Sequence, residues 1–387
     1  MNSKKELPAY QGFEQGPIRP PSEAASLLIR VTRNCPWNRC TFCPVYKGQK
    51  FSLRPMEHVL DDINTIDRHV RLIREHSGQN SRLEKEDIAA ISAKIAPGER
   101  AALNAALHWA AGGMQSIFLQ DANSLIIKPE NLITILARLR QCFPWVMRIT
   151  SYARSHTVAR ISDADLLKMA QTGLNRIHIG MESGSDRVLA MVKKGADKAT
   201  HIKAGQKIKK AGMELSEYVM PGLGGKSLSH EHATETADAL NRINPDFIRL
   251  RTLALPNHTD LFKQFDQGLF EKQNDREMAN EILVFLESLD GITSTLKSDH
   301  ILNLFEDLEG KFPADKDRMT GICKRFLLLP AEEQMLYQVG RRIGLFGRLD
   351  DLKDSFRRSR VEETCTRLGI TPENVDTVID EMMKRFI

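Results

Sequence analysis

The chain has 387 residues, with 41% hydrophobic and 27% charged residues, 16 Pro and 24 Gly, which is the composition of a globular protein and excludes wholesale disorder, collagen and coiled coil. Fifty-five Lys and Arg against 50 Asp and Glu leave a net charge of only +5, too balanced to announce a nucleic-acid or membrane partner. No run reaches the ~20 apolar residues of a membrane span, and Met1–Pro8 lacks the apolar stretch of a signal peptide, so a cytoplasmic protein is expected. In a reducing compartment six cysteines read as metal-binding or redox groups rather than a disulfide framework, and three of them fall within nine residues.

In chain order, residues 1–25 form an irregular, proline-containing lead-in. Leu27–Thr32 is a short β-branched strand, followed directly by the cysteine-bearing loop 33–50. From Pro55 the apolar residues Met56, Val59, Leu60, Ile63, Ile66, Val70 and Ile73 recur at spacings of three and four, and 86–111 is Ala-rich, so a helical insertion over about 51–112 is predicted. Strands at 116–120, 146–151, 176–181, 215–220 and 246–252 then alternate with helices at 129–141, 163–172, 184–193, 198–211 and 230–243. With Leu27–Thr32 this makes six strands joined by helices, the pattern of a parallel α/β sheet. Six units are too few for a closed eight-unit barrel but enough for an open one. From about 275 the strand pattern ends, and helices are expected at 275–289, 315–329, 331–344, 347–358, 359–368 and 372–386. The expected division is a lead-in at 1–25, a barrel at 26–262 and a helical C-terminal segment at 263–387. Residues 341–360 carry seven Arg or Lys against three Asp, either a solvated helix face or a surface for an acidic or nucleic-acid partner.

Cys35, Cys40 and Cys43 place three thiols in one loop with no fourth Cys or His nearby. Structural zinc is normally closed by four protein ligands. Three thiolates leave a coordination position open, as in a [4Fe-4S] cluster whose fourth iron takes a small-molecule ligand. Cys142, Cys323 and Cys365 are isolated in helical surroundings, which argues against a second cluster.

The loop, with Phe42 directly before its last cysteine, resembles that of the radical S-adenosylmethionine (SAM) superfamily, although Cys35 and Cys40 are separated by four residues where three are usual. The resemblance covers about 26–262. It implies an open partial (β/α)6 barrel with one [4Fe-4S] cluster on Cys35, Cys40 and Cys43. It further implies SAM held by Asp121 after the second strand, Glu182 after the fourth, Lys194 in the following segment, and the backbone of Gly222, Gly224 and Gly225 after the fifth. The implied chemistry is reductive cleavage of SAM to a 5′-deoxyadenosyl radical that abstracts hydrogen from an organic substrate, with flavodoxin or ferredoxin as reductant. Among superfamily members the chain is most similar to the Elp3-like and oxygen-independent coproporphyrinogen oxidase-like groups.

Arg249 and Arg251 alternate in the sixth strand, placing both on one face, there to pair with Glu182 or Glu217 or to bind an anionic substrate. Ser298, Asp299, His300 and Asn303 form a polar cluster after the barrel, either a surface loop or a lid facing substrate. In the lid, Asp299 orients His300 and raises its pKa, making these two the catalytic pair. An RNA-modifying enzyme using the 341–360 helices and a non-catalytic iron–sulfur protein stand as alternatives.

Overall fold

A computed structural model describes residues 9–77 and 83–383. Residues 1–8 of the expected lead-in and 384–386 of the last expected helix lie outside the described residues. Residue contacts divide the chain into two compact units, one comprising residues up to 36, 48–178 and 207–214, the other 37–47, 179–206 and 215 onward.

The first unit carries β1 (Leu27–Arg30), β2 (Thr32–Arg33), β3 (Ser52–Leu53), β4 (Ser116–Gln120), β5 (Arg148–Ala153) and the first half of β6 (Leu174–Glu182). β1 runs parallel to β4 with Leu27 opposite Ile117, and β4 parallel to β5 with Ile117 opposite Ile149. The apolar residues Leu27, Ile29, Ile117, Leu119 and Ile149 are buried, as expected of strands covered on both faces. The expected insertion is helical at Met56–Ser77, Lys85–Ala93 and Arg100–Ala111. Val59, Ile63, Ile66, Val70 and Ile73 of the first of these helices are buried, so the three-and-four spacing does mark its core face.

The second unit carries the end of β6, β7 (Glu214–Val219; its first residue belongs to the first unit), β8 (Phe247–Leu250), β9 (Thr295–Lys297) and β10 (Gly310–Lys311). β7 and β8 are parallel with Tyr218 opposite Arg249, β8 and β9 are parallel with Ile248 opposite Leu296, and β10 closes antiparallel on β9. All six expected strands are present, so the fold is α/β with a mostly parallel sheet.

The expectation that strands end by 275 is corrected by β9 and β10. Three and two residues are too short to show alternation, and β9 owes its extended form to the ladder that β8 offers it. The C-terminal helices are Lys316–Leu328, Ala331–Arg342, Ser355–Leu368 and Val375–Met383. Tyr337 stacks between Phe305 and Phe346, with ring centroids 6.0 and 6.3 Å away, and forms the core of this bundle. The helix expected at 347–358 is instead a 3-10 turn at Leu349–Lys353, after which Asp354 caps the next helix by accepting from the Phe356 and Arg357 amides.

Candidate active site

The cysteine loop is folded by its own polar residues and by glycine at one contact. Asn38 takes a left-handed backbone (φ 46°), which asparagine tolerates, and its amide donates to the Tyr46 carbonyl. The Trp37 indole donates to the Lys193 carbonyl at 2.7 Å, and its ring fills the space where a Cβ on Gly195 would lie, 2.4 Å from the ring. Gly195 at φ 72° thus serves both the turn and the close approach of the indole. The Thr41 amide donates to the Val192 carbonyl, and the Leu261 amide to the Thr41 carbonyl, both at 3.0 Å. These contacts seat Phe42, with half-buried Cys40 and Cys43, on an apolar cluster that includes Val188, Met220, Leu223, Leu253 and Leu261. That surface lies at and beyond the C-terminal ends of β6, β7 and β8, where open α/β sheets bind ligands.

At the end of β6, Glu182 adopts a positive φ of 65° and accepts from Lys194 Nζ at 3.0 Å. Lys194 also lies 5.8 Å from the centre of the Phe42 ring, next to the cysteine pair in sequence. Glu182 and Lys194, expected from the resemblance as separate contacts, are therefore one ion pair beside the loop. Gly180 makes room for it, since a Cβ there would fall 2.2 Å from Glu182 Oε1 and 3.2 Å from Lys194 Nζ.

Gly222, Gly224 and Gly225 follow β7 as expected, but their Cβ directions are closed by protein atoms. They are blocked by the Met278 methyl at 2.4 Å, the Leu228 carbonyl at 2.9 Å and the Glu271 carbonyl at 2.7 Å respectively. A valine at Gly224 would strike the chain's own backbone, so loss of SAM affinity in such a variant would report misfolding of the loop. The loop is clamped from below by Glu281, which is buried and accepts from the Gly222 amide at 2.7 Å and the Ser229 hydroxyl at 2.8 Å.

Sequence reasoning offered Glu217 only as a partner for the strand arginines, and this is corrected. Glu217, on β7, is fully buried, and neither carboxyl oxygen has a hydrogen-bond partner among the described residues. Burial raises its pKa well above the usual carboxylate range; the Lys194 charge pulls it back and Glu182 adds to the rise. The strand reads Glu-Leu-Ser-Glu-Tyr-Val, with polar residues at three other positions, so nothing local singled Glu217 out in the sequence. Arg249 pairs with Asp299 at 2.6 Å, while Arg251 lies beyond β8 and is exposed. The strand ends before a second alternation brings both arginines to one face.

The reading of residues 298–303 is corrected likewise. Asn303 is buried, donates to the Leu250 carbonyl and Ser298 hydroxyl, and accepts from the Thr252 amide, so it ties this loop to the end of β8. Ser298 is buried and donates to the Phe305 carbonyl. Asp299 is spent on Arg249 rather than on His300. The His300 pKa is lowered to about 4, chiefly by burial and then by Arg251, and the Asp299 charge does not offset them. His300 is thus neutral at pH 7, with Nδ1 accepting from the Leu302 amide at 3.3 Å.

In the first unit, Asp121 is buried and accepts from Arg30 at 2.9 Å and from the Asn34 amide at 3.2 Å, one residue before Cys35. The structure places it as an anchor of the strand that leads into the cysteine loop. Of the basic run 341–360, Arg341, Arg342, Lys353, Arg357, Arg358 and Arg360 each face a carboxylate, so this stretch is an ion-paired surface rather than an open cationic stripe.

None of the six cysteines is in a disulfide. Among the described residues, no three Cys, His, Asp or Glu side chains converge closely enough to hold a bare metal ion. The donor chemistry nevertheless fits an iron–sulfur cluster. Cys35, Cys40 and Cys43 are half-buried thiols, whereas Cys142, Cys323 and Cys365 are buried in helices, and burial pushes the Cys323 thiol up to about 12. The orphaned carboxyl of Glu217 fits a ligand that brings hydrogen-bond donors. No helix among the described residues is long and apolar enough to cross a membrane.

Two curated relatives are tRNA uridine(34) acetyltransferases. That of Methanocaldococcus infernus is 25% identical over 129 residues, 33% of this chain and 24% of that protein, and that of Methanocaldococcus jannaschii is 23% identical over 132 residues with the same shares. The match spans about a quarter of the length of these relatives. Among solved structures, coproporphyrinogen III oxidase from Escherichia coli, a radical SAM enzyme, is 14% identical over 68% of this chain and 52% of that one, with a TM-score of 0.43. The family model of the radical SAM superfamily matches residues 29–237, more than half of the chain, from within β1 to within the helix Ser229–Ile243 that follows β7. The protein belongs to the radical SAM superfamily and is an enzyme whose cofactors are a [4Fe-4S] cluster and S-adenosylmethionine.

Proposed function

We propose that Cys35, Cys40 and Cys43 hold the cluster and that SAM is bound beside the ends of β6 and β7. When bound, the two cofactors together supply one-electron cleavage of SAM to a 5′-deoxyadenosyl radical, which abstracts hydrogen from an organic substrate. The chain's residues bind and exclude water. Glu182 and Lys194, already paired at 3.0 Å, present one anionic and one cationic group to a zwitterionic ligand, and Glu217 supplies an acceptor for ligand hydroxyls. The apolar cluster under Cys40 and Cys43 keeps water from that side. The observation that carries this reading is the Glu217 carboxyl, without a hydrogen-bond partner among the described residues, near the Glu182–Lys194 pair, since an unmet buried acceptor is what a ligand would complete.

The test is anaerobic incubation of reconstituted protein with SAM and dithionite, followed by mass spectrometry for 5′-deoxyadenosine. Wild-type protein should produce it. Glu182→Gln should retain a full iron complement and bind SAM at least tenfold more weakly, and unchanged affinity would remove Glu182 from the site. Cytoplasmic location belongs to this proposal, supported by six cysteines outside disulfides.

A second reading, RNA modification, rests on the similarity to the two tRNA uridine(34) acetyltransferases. It predicts tRNA binding whose affinity falls steeply with salt. The carboxylate pairing of the 341–360 basic residues favours a small or medium organic substrate over it.

A further inference from the structure

We propose that a cavity of about 210 Å³ in the second unit is a binding site for a small primary ammonium ligand with an apolar body. It lies among the loop after β8, the start of the helix Asp275–Ser288 and the helix Val375–Met383. This goes beyond the SAM site and does not depend on it.

The first argument is an amide. Gln273 lines the cavity and is buried. Its Nε2 donates to the Gly225 carbonyl at 2.9 Å and to Glu281 Oε2 at 2.5 Å, and these two acceptors fix the orientation of the amide. Oε1 is thereby left as a buried acceptor without a partner among the described residues. A ligand N–H is what such an atom lacks.

The second argument is charge. Around the cavity Lys226 pairs with Glu277 at 2.8 Å, Lys272 pairs with Asp380, and Arg342 pairs with Asp275 at 2.9 Å. Asp376 is the remaining carboxylate. It accepts from Asn274 Nδ2 at 2.9 Å, and no cation lies within ion-pair distance of it among the described residues. Burial raises its pKa, and Asp275, Asp380 and Glu277 add to the rise. Among the described residues the lining thus carries three carboxylates, Asp275, Asp376 and Asp380, against two lysines, Lys226 and Lys272, and a monocation balances that excess.

The remaining wall is apolar, from Leu253, Phe265, Met278 and Ile379. An alkyl chain fits this wall, while its ammonium has Asp376 and the Gln273 oxygen as acceptors. An anion would add to the carboxylates, and a neutral alcohol would leave the charge uncompensated.

Isothermal titration of the full-length protein with butylammonium chloride tests this, with butan-1-ol and sodium butyrate as matched probes at pH 7.5. Butylammonium should bind saturably, butanol at least tenfold more weakly and butyrate not measurably. Affinity should fall as the pH is lowered, because protonation of Asp376 removes the charge. Asp376→Asn should lower butylammonium affinity at least tenfold. Ile379→Trp, which fills the cavity, should abolish binding while circular dichroism confirms the fold of both variants. Butanol or butyrate binding as tightly as butylammonium, unchanged affinity in Asp376→Asn, or no saturable binding would each overturn the proposal.

Discussion

Glu217→Gln is a sharp test of the site because it separates a ligand-facing carboxyl from a structural one. In the wild type both oxygens lie buried without hydrogen-bond partners among the described residues, and burial raises the pKa well above the ordinary value of 4.5. The folded protein therefore holds a proton that the unfolded chain releases once the pH exceeds about 4.5. The stabilisation from that proton is complete below the unfolded pKa and is lost as the pH rises through the raised folded pKa. Glutamine keeps the shape and stays neutral, so it resembles the protonated side chain at every pH. At pH 5 the variant and the wild type should differ little. At pH 8 the variant should be the more stable, with a melting temperature several degrees higher, because the wild type then loses the stabilisation of that proton or buries a charge that glutamine never carries. Thermal unfolding of the protein without SAM at both pH values reads this out, and titration with SAM supplies the complement. If Glu217 accepts from SAM, the variant gains intrinsic stability but loses much of the stabilisation that SAM gives the wild type. A variant less stable than the wild type at pH 8 would show that the carboxylate already has a structural partner and would refute the argument. Equal stabilisation of both proteins by SAM would remove Glu217 from the binding site.

Single Ala substitutions of Cys35, Cys40 and Cys43 should each reduce bound iron from about four per chain to near zero after reconstitution, as read by iron analysis. In the protein without its cluster, iodoacetamide should label these three within minutes and leave Cys142, Cys323 and Cys365 unlabelled, because the latter are buried with pKa values raised by burial. Lys194→Met and Glu182→Gln should each weaken SAM binding about tenfold, and the double variant should lose less than the sum of the two, because they form one ion pair. For His300 the folded pKa of about 4 lies below the ordinary 6.5, so the unfolded chain binds the extra proton first and stability falls as the pH drops from 6.5 towards 4. His300→Gln should flatten that decline, worth on the order of 2 kcal/mol after allowance for solvent screening, with no change above pH 7, as measured by urea unfolding across the range.

The strands and helices of the α/β region were legible because their signals are local and repeated. Ile117, Phe118 and Leu119 form a short continuous apolar run, the residues of Met56–Ser77 recur at helical spacing, and Ser162 caps its helix by accepting from the Asp165 amide. The cysteine loop was legible for a different reason, since three thiols so close in sequence have few structural uses. What the sequence could not show is which charges neutralise each other. Arg249 and Asp299 lie 50 residues apart and Arg342 and Asp275 lie 67 apart, and no periodicity links such partners. An expected arginine face and an expected Asp–His pair gave way to ion pairs of this kind, and of the two readings of 341–360 the ion pairs fit the solvated helix face. The same blindness hid Glu217, whose importance lies in the absence of a partner, a property that exists only once every other side chain has been placed. A charge in a sequence is therefore an open question until its neighbours are known. Among the described residues two such groups carry the proposed sites: Glu217, without a hydrogen-bond partner near the Glu182–Lys194 pair, and Asp376, without an ion-pair partner beside the Gln273 oxygen in the ammonium cavity.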